Sequence, residues 1–208
     1  MSMPIHWSDN AILLGLWVVY GLVHSLLAGL ALKAWYARQF PRLQRVYRLG
    51  FNLLAILLLI PIALWIETHP GIWLWRWTGP LALVSHGCLI FVVAGFLWTI
   101  RYYDLLEFIG LRQLMPGAAS ARSDFVISPP HRLVRHPWYF LGLVLVWSRD
   151  MNEAGLVSAL AITAYFIVGS RYEERKLVAE FGNAYRDYAR TVPALLPRLW
   201  PRSSRHGE

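Results

Sequence analysis

The chain alternates between long apolar runs and short polar clusters, and the apolar runs are too long for the core of a small soluble domain. The first extends from about Ala11 to Leu32, the second from Leu49 to Ile66 and the third from Leu81 to Ile100. A helix needs about 20 apolar residues to cross a hydrocarbon core of about 30 Å, so each predicts a membrane-spanning helix. Pro61 falls in the last third of the second run and predicts a kink there. Two shorter runs follow, Trp138 to Trp147 and Ala154 to Gly169, separated by the polar stretch 148–153. They predict a fourth and a fifth segment, the fourth shorter than the usual span of about 17–25 residues. Between the third and fourth runs, 101–136 predicts an interfacial helix over Tyr102 to Leu114 and then a loop rich in Gly, Ala, Ser and Pro. After Phe181-Gly182 the tail is amphipathic, with Tyr185 and Tyr188 three apart, and ends in a stretch punctuated by Pro193, Pro197 and Pro201.

This pattern predicts an all-α fold, an integral membrane helical bundle of about five transmembrane segments. Residues 1–208 form one membrane domain, with 1–100 a three-span scaffold and 101–208 the part that carries the chemistry. Composition agrees: 57% of residues are hydrophobic and 15% charged, against about 25% charged in an average soluble protein. Eleven tryptophans and ten tyrosines suit membrane interfaces, and Trp73, Trp75 and Trp77 predict an interfacial belt. The single cysteine, Cys88, excludes a disulfide framework and reads as packing.

A net charge of +8 points to nucleic acid in a soluble protein. Here the basic residues lie in the segments between apolar runs, where lipid headgroups and membrane orientation account for them and nucleic acid is excluded. Lys and Arg number 0 before the first run, then 5, 1, 5, 1 and 8 in successive polar segments. The alternation predicts the N-terminus outside and the C-terminus cytoplasmic, in a bacterial inner membrane. Met1 to Asn10 holds no Lys or Arg, so a cleaved signal peptide is not expected.

Candidate chemistry gathers in two clusters at the ends of the last two runs: His131 to Tyr139, and Arg171 to Lys176. Pro137 disfavours a helical His136 and suits a first helical position, so a helix should begin at Pro137. The chain enters the apolar phase at one cluster and returns at the other, which puts both at the same membrane face. Carboxylates such as Glu173 and Glu174 at a membrane boundary are often just the solvated end of a span. Beside Arg135, His136 and Tyr139 they could instead line a pocket for a zwitterionic or cationic ligand. His24 and His86, within the first and third runs, raise the question of a haem. At 1.5 Å rise per residue they differ by about 10 Å in depth, too far for two ligands of one iron, so a hydrogen bond between helices is expected of each. No metal site is expected.

Arg135-His136-Pro137-Trp138-Tyr139, Gly142, Glu173-Glu174 with Leu177, the run Phe181 to Tyr188 and Val192-Pro193 together resemble the C-terminal signature of the isoprenylcysteine carboxyl methyltransferase family and its phospholipid methyltransferase relatives. His24-Ser25 and Phe108 to Gln113 look similar to the methanethiol S-methyltransferase branch of that superfamily, with Leu105 and Leu106 where that branch has a histidine. The resemblance implies S-adenosyl-L-methionine bound by His136, Pro137, Trp138, Tyr139 and Glu173, with Glu174 a second contact. Where the carboxyl methyltransferases carry a tyrosine five residues before the motif histidine, this chain has His131. Their substrate-binding arginine falls on Gly169, with Arg171 the nearest replacement.

The expectation is therefore a methyltransferase in which Arg135, Arg171 and Glu174 act at the reacting end. The acceptor would be a thiol or carboxylate, lipophilic or small, reached from the membrane: isoprenylcysteine-like, a lipid or a small thiol. Membrane lipids are the expected surroundings, and the oligomeric state stays open. Because the fourth segment is short, a cavity beside it could open sideways to lipid, which favours a lipophilic acceptor. The alternative is a non-enzymatic accessory protein on the same scaffold.

Overall fold

The computed structural model describes residues 6–115 and 125–198. Most of these residues lie in eight α-helices. The first three apolar runs become α1 (Trp7–Ala28), α3 (Tyr47–Thr68) and α4 (Ala82–Thr99), with α2 (Leu30–Gln39) after α1. α1 stops short of the expected Leu32 because Gly29 is extended, with φ −66° and ψ 139°, and the chain restarts as a separate helix. Pro61 lies inside α3, and the helix continues through it to Thr68.

The expected interfacial helix over 102–114 is instead broken. A short α5 (Leu105–Ile109) is capped at its start by the Asp104 carboxylate, which accepts from the Glu107 N–H, and stopped by Gly110 at φ 93°. A Cβ at Gly110 would come within 2.6 Å of the Leu49 backbone nitrogen, so both the turn and the close approach to α3 require glycine. The glycine- and serine-rich part of the expected loop, 116–124, lies outside the described residues, as does Pro201.

α6 (Pro137–Trp147) starts at the expected proline and has the expected 11 residues, about 16 Å of rise. The non-helical stretch 148–152 carries the chain the rest of the way to α7. Its backbone is covered by protein: Met151–Asn152 (β2) pairs antiparallel with Trp73–Trp75 (β1). Trp77 closes the same corner, its backbone N–H donating to Asp150 Oδ1 and its indole to the Arg149 carbonyl. Two of the expected belt tryptophans are thus strand residues.

α7 (Glu153–Phe181) is longer than the expected fifth segment: Arg171 to Lys176 lies within the helix, not at its end. It stops where Gly182 takes φ 59°, and α8 (Asn183–Thr191) follows. α7 packs against α1 on one side and α6 on the other, α3 packs on α1, and α4 on α6. Among the described residues four helical stretches are long and apolar enough to cross a membrane, with α6 the shorter fifth. Of the four, α7 is the central one, 28% buried over its most apolar window against 6% for the stretches around α1, α3 and α4. The outward apolar residues of those three are exposed, as expected of helices solvated by lipid.

Candidate active site

The two clusters meet because two turns bring three segments together. His136 stands just before α6 with φ −124°, off the helical region as the following proline requires, and Pro137 opens the helix. The chain beyond α8 then doubles back alongside: the Arg135 N–H donates to the Pro193 carbonyl at 2.8 Å and the His136 N–H to the Ala194 carbonyl at 3.0 Å. The Val192-Pro193 element of the motif is therefore a backbone partner for the Arg135-His136 element. α7 supplies the carboxylates from the other side.

Glu174 is the anion at the centre. Arg135 Nε donates to its Oε1 at 2.7 Å, and His136 Nε2 lies 3.1 Å from the same oxygen. Arg135 also donates from Nη1 to the Ala189 and Val192 carbonyls, which ties α7 to the end of α8. Its guanidinium is largely committed to this clamp. Glu173 points differently. It is 51% exposed, and its Oε2 accepts from the Tyr139 hydroxyl at 3.3 Å and lies 3.4 Å from His136 Nδ1. His136, 6% exposed, so bridges the two carboxylates, and its ring stacks on Tyr139, which stacks in turn on Phe166 of α7.

These groups border a cavity of about 380 Å³ whose wall includes Tyr103, His131, His136, Glu173, Tyr185 and Tyr188. Tyr185 is buried, and its hydroxyl has no hydrogen-bond partner among the described residues. An orphaned donor of this kind in a cavity wall is a place for a ligand acceptor or a water. Burial pushes the Tyr103 and Tyr188 phenols up to about 12, and Tyr185 further in the same direction, so all three remain donors. The Tyr103 hydroxyl reaches His131 Nε2 at 3.2 Å, and Tyr188 donates to the His131 carbonyl at 2.6 Å. Burial, with His136 second, lowers the His131 pKa below its ordinary value.

Of the residues singled out in the sequence, Arg135, His136, Tyr139, Glu173 and Glu174 are thus brought together, and Arg135, His136 and Glu173 of these line the cavity. Trp138 turns the other way. Its indole donates to the buried Thr99 hydroxyl of α4 at 2.9 Å and packs against Phe96, Tyr103 and Phe108, so it fastens α6 to the scaffold. Pro137 is buried at the helix start, and Arg171 is exposed on α7 outside the residues that line the cavity. Sequence reasoning did not find Ser128, Tyr103 or the role of Tyr185. The i, i+3 spacing of Tyr185 and Tyr188 was the one available signal.

The intramembrane histidines take two forms. His24 makes the expected bond between helices, its Nδ1 2.7 Å from the Tyr165 hydroxyl of α7. His86 does not: its Nδ1 lies 2.6 Å from the Ala82 carbonyl of its own helix. His86 faces a second and larger cavity of about 590 Å³, lined also by Trp73, Trp77, Arg149 and Asp150. Size alone would favour that one, but the converging ionisable groups are in the smaller.

This chain is 33% identical over 198 residues to methanethiol S-methyltransferase 2 of Bradyrhizobium diazoefficiens, an alignment covering 88% of the chain and 71% of that protein. It is 32% identical to the methanethiol S-methyltransferase of Mycobacterium tuberculosis, over 92% of the chain and 78% of the relative. The protein of the same name from Crocosphaera subtropica is 32% identical over 91% and 75%. The chain belongs to the methanethiol S-methyltransferase family. It is a methyltransferase held in a membrane, and the reaction needs a methyl donor. No family model matches the chain, and no solved structure matches it. The resemblance read from the two motif clusters agrees with the relatives, and the accessory-protein alternative gives way to an enzyme.

Proposed function

We propose that this methyltransferase transfers the methyl group of S-adenosylmethionine to a small thiol, and that it does so in the cavity between Glu173 and His131. The observation that carries the reading is the pairing of a half-exposed carboxylate, Glu173, with an aromatic wall in a cavity of about 380 Å³. The residues fit the cofactor by chemistry: a carboxylate for an ammonium or sulfonium charge, aromatic faces for a flat base, and the unpartnered Tyr185 hydroxyl for a polar edge. Small-molecule sites run from about 300 to 1,000 Å³, and this cavity falls within that range. The names of the relatives favour a small acceptor over the lipophilic one expected from the short fourth segment.

When bound, the cofactor supplies an electrophilic methyl group. The residues of the chain position and shield. Glu173 holds the positive end, while the Arg135–Glu174–His136 cluster fixes the geometry of that wall. The rings of Tyr103, Tyr185 and Tyr188 keep water from the reacting atoms. The acceptor sulfur would take up the methyl group there and the thiol would give up its proton. The charge alternation along the chain supports a cytoplasmic cavity and an outer N-terminus.

Purified enzyme in lipid nanodiscs, given a homologous series of alkyl thiols with S-adenosylmethionine, tests this. The expected result is the fastest turnover with the one-carbon thiol and a fall with each added methylene. A rate that climbs with chain length would replace the small acceptor by a lipophilic one entering from the bilayer. In sealed vesicles with cofactor added outside, inverted ones should turn over and right-side-out ones should not.

A further inference from the structure

We propose that His131 is the base that takes the proton of the thiol, an inference that rests on the methyl-transfer reading above. A thiol with a pKa of about 8.5 is only a few per cent ionised at neutral pH, and the thiolate is the nucleophile. A residue that accepts its proton inside the cavity therefore acts directly on the rate.

His131 is built for the role by three contacts from three segments. Its Nδ1 lies 2.7 Å from the Ser128 hydroxyl, its Nε2 3.2 Å from the Tyr103 hydroxyl, and its carbonyl accepts from Tyr188 at 2.6 Å. The short Ser128 contact and the longer Tyr103 contact fix the ring while leaving Nε2 the weaker-bound nitrogen. With Nδ1–H donated to Ser128, Nε2 is an acceptor beside Tyr103, and both residues line the cavity. The titratable and charged groups that face it there are Tyr103, Arg135, His136, Glu173, Tyr185 and Tyr188. Three are phenols held un-ionised, Arg135 is bound to Glu174, and His136 is bound between two carboxylates. His131 is thus the imidazole in this wall that has no carboxylate partner within ion-pair distance among the described residues. Its lowered pKa keeps it in the neutral, proton-accepting form at pH 7.

The step balances without a further reactant. The S–H bond breaks and its proton passes to the Tyr103 oxygen as the Tyr103 proton passes to Nε2, whose one lone pair already accepts from that hydroxyl. The sulfur electron pair forms the new S–C bond as the methyl–sulfonium bond breaks, and the imidazolium later releases the proton to water.

His131→Asn and His131→Gln test the proposal: the first can keep a donor toward Ser128, the second a contact toward Tyr103, and neither titrates. Each should lower turnover of an ordinary alkyl thiol about 100-fold at pH 7. Each should stay within a few-fold of the parent enzyme for an acidic aryl thiol that is already ionised. With the alkyl thiol, the break that His131 gives the parent pH profile should vanish, and the variant rate should instead climb about tenfold per pH unit up to the thiol pKa of about 8.5. S-Adenosylmethionine affinity, read by calorimetry, should change little. Equal loss with ionised and un-ionised thiols, or an unchanged pH profile, would overturn the role of His131 while methyl transfer stands. A parent enzyme that methylates no thiol would remove both.

Discussion

One helix, α7, carries two carboxylate sites that differ in every respect that matters for chemistry. At its start, Glu153 is 6% exposed and accepts from the His6 backbone N–H and the Asn10 amide. The neighbouring backbone is equally tied, with the Glu153 and Ala154 N–H groups donating to the Ile72 and Pro70 carbonyls. Gly71 approaches so closely that a Cβ would fall 2.6 Å from Glu153 Oε2. Twenty positions on, Glu173 is 51% exposed and faces a cavity. The first carboxylate is enclosed by the elements it joins, namely α1, the turn after α3 and α7, and it does not line the cavity of about 370 Å³ beside them, although its Oε1 has no hydrogen-bond partner among the described residues. The second is left reachable while its neighbour Glu174 takes over the structural contacts. A buried acid is therefore not by itself a site. An acid whose packing duties are done by the next residue is the better candidate.

That contrast breaks first at Glu173. Glu173→Gln keeps the shape and removes the charge that would face a cationic ligand. Losing one partner of a desolvated charged contact costs about 2–5 kcal/mol, and the exposure of Glu173 argues for the lower end. S-Adenosylmethionine binding should weaken about thirtyfold with the thermal midpoint unchanged. Unaltered affinity would remove Glu173 from the site and leave the two ends of α7 equivalent.

Glu153→Ala is the reciprocal change. It strands the His6 N–H and the Asn10 amide in a part-buried corner, a loss of about 1–3 kcal/mol in stability, with cofactor affinity within twofold of the parent. A variant that keeps its stability and loses its affinity would show the start of α7 coupled to the cavity near Glu173.

How far the sequence could take this contrast follows from which contacts are local. The start of α6 was legible because Pro137 acts on its own neighbour, and the spans were legible because hydropathy is a property of single segments. The meeting of His136 and Glu173 was legible as well, since a chain that enters and leaves the membrane on one side must bring its ends to that side. Glu153 was not, because what buries it comes from His6, Asn10 and Gly71, all remote in sequence. The β1–β2 pair was hidden for the same reason: three residues against two carry no periodicity, and the pairing spans the chain from Trp73 to Asn152. α7 was cut short because charged residues at 171–176 read as a helix end, whereas the stop signal is Gly182 with its positive φ. Trp138 shows the opposite limit. A motif fixes its place in the chain and not the direction of its side chain, which here is toward Thr99.

The smallest expected effect concerns pH, and it belongs to the site end of the contrast, where burial lowers the pKa of His131. The unfolded chain protonates His131 near its ordinary value of about 6.5, whereas the folded enzyme resists until the pH is lower. Between those two values the folded state binds fewer protons than the unfolded one. The stabilisation His131 contributes is thus complete above about pH 6.5 and is lost as the pH falls through its folded pKa. The ceiling for one group is about 1.4 kcal/mol per pH unit. Thermal unfolding in nanodiscs between pH 7.5 and 5.5 should show the parent enzyme losing stability more steeply than His131→Gln. If His131→Gln ran parallel to the parent, the imidazole would not be held neutral by the fold.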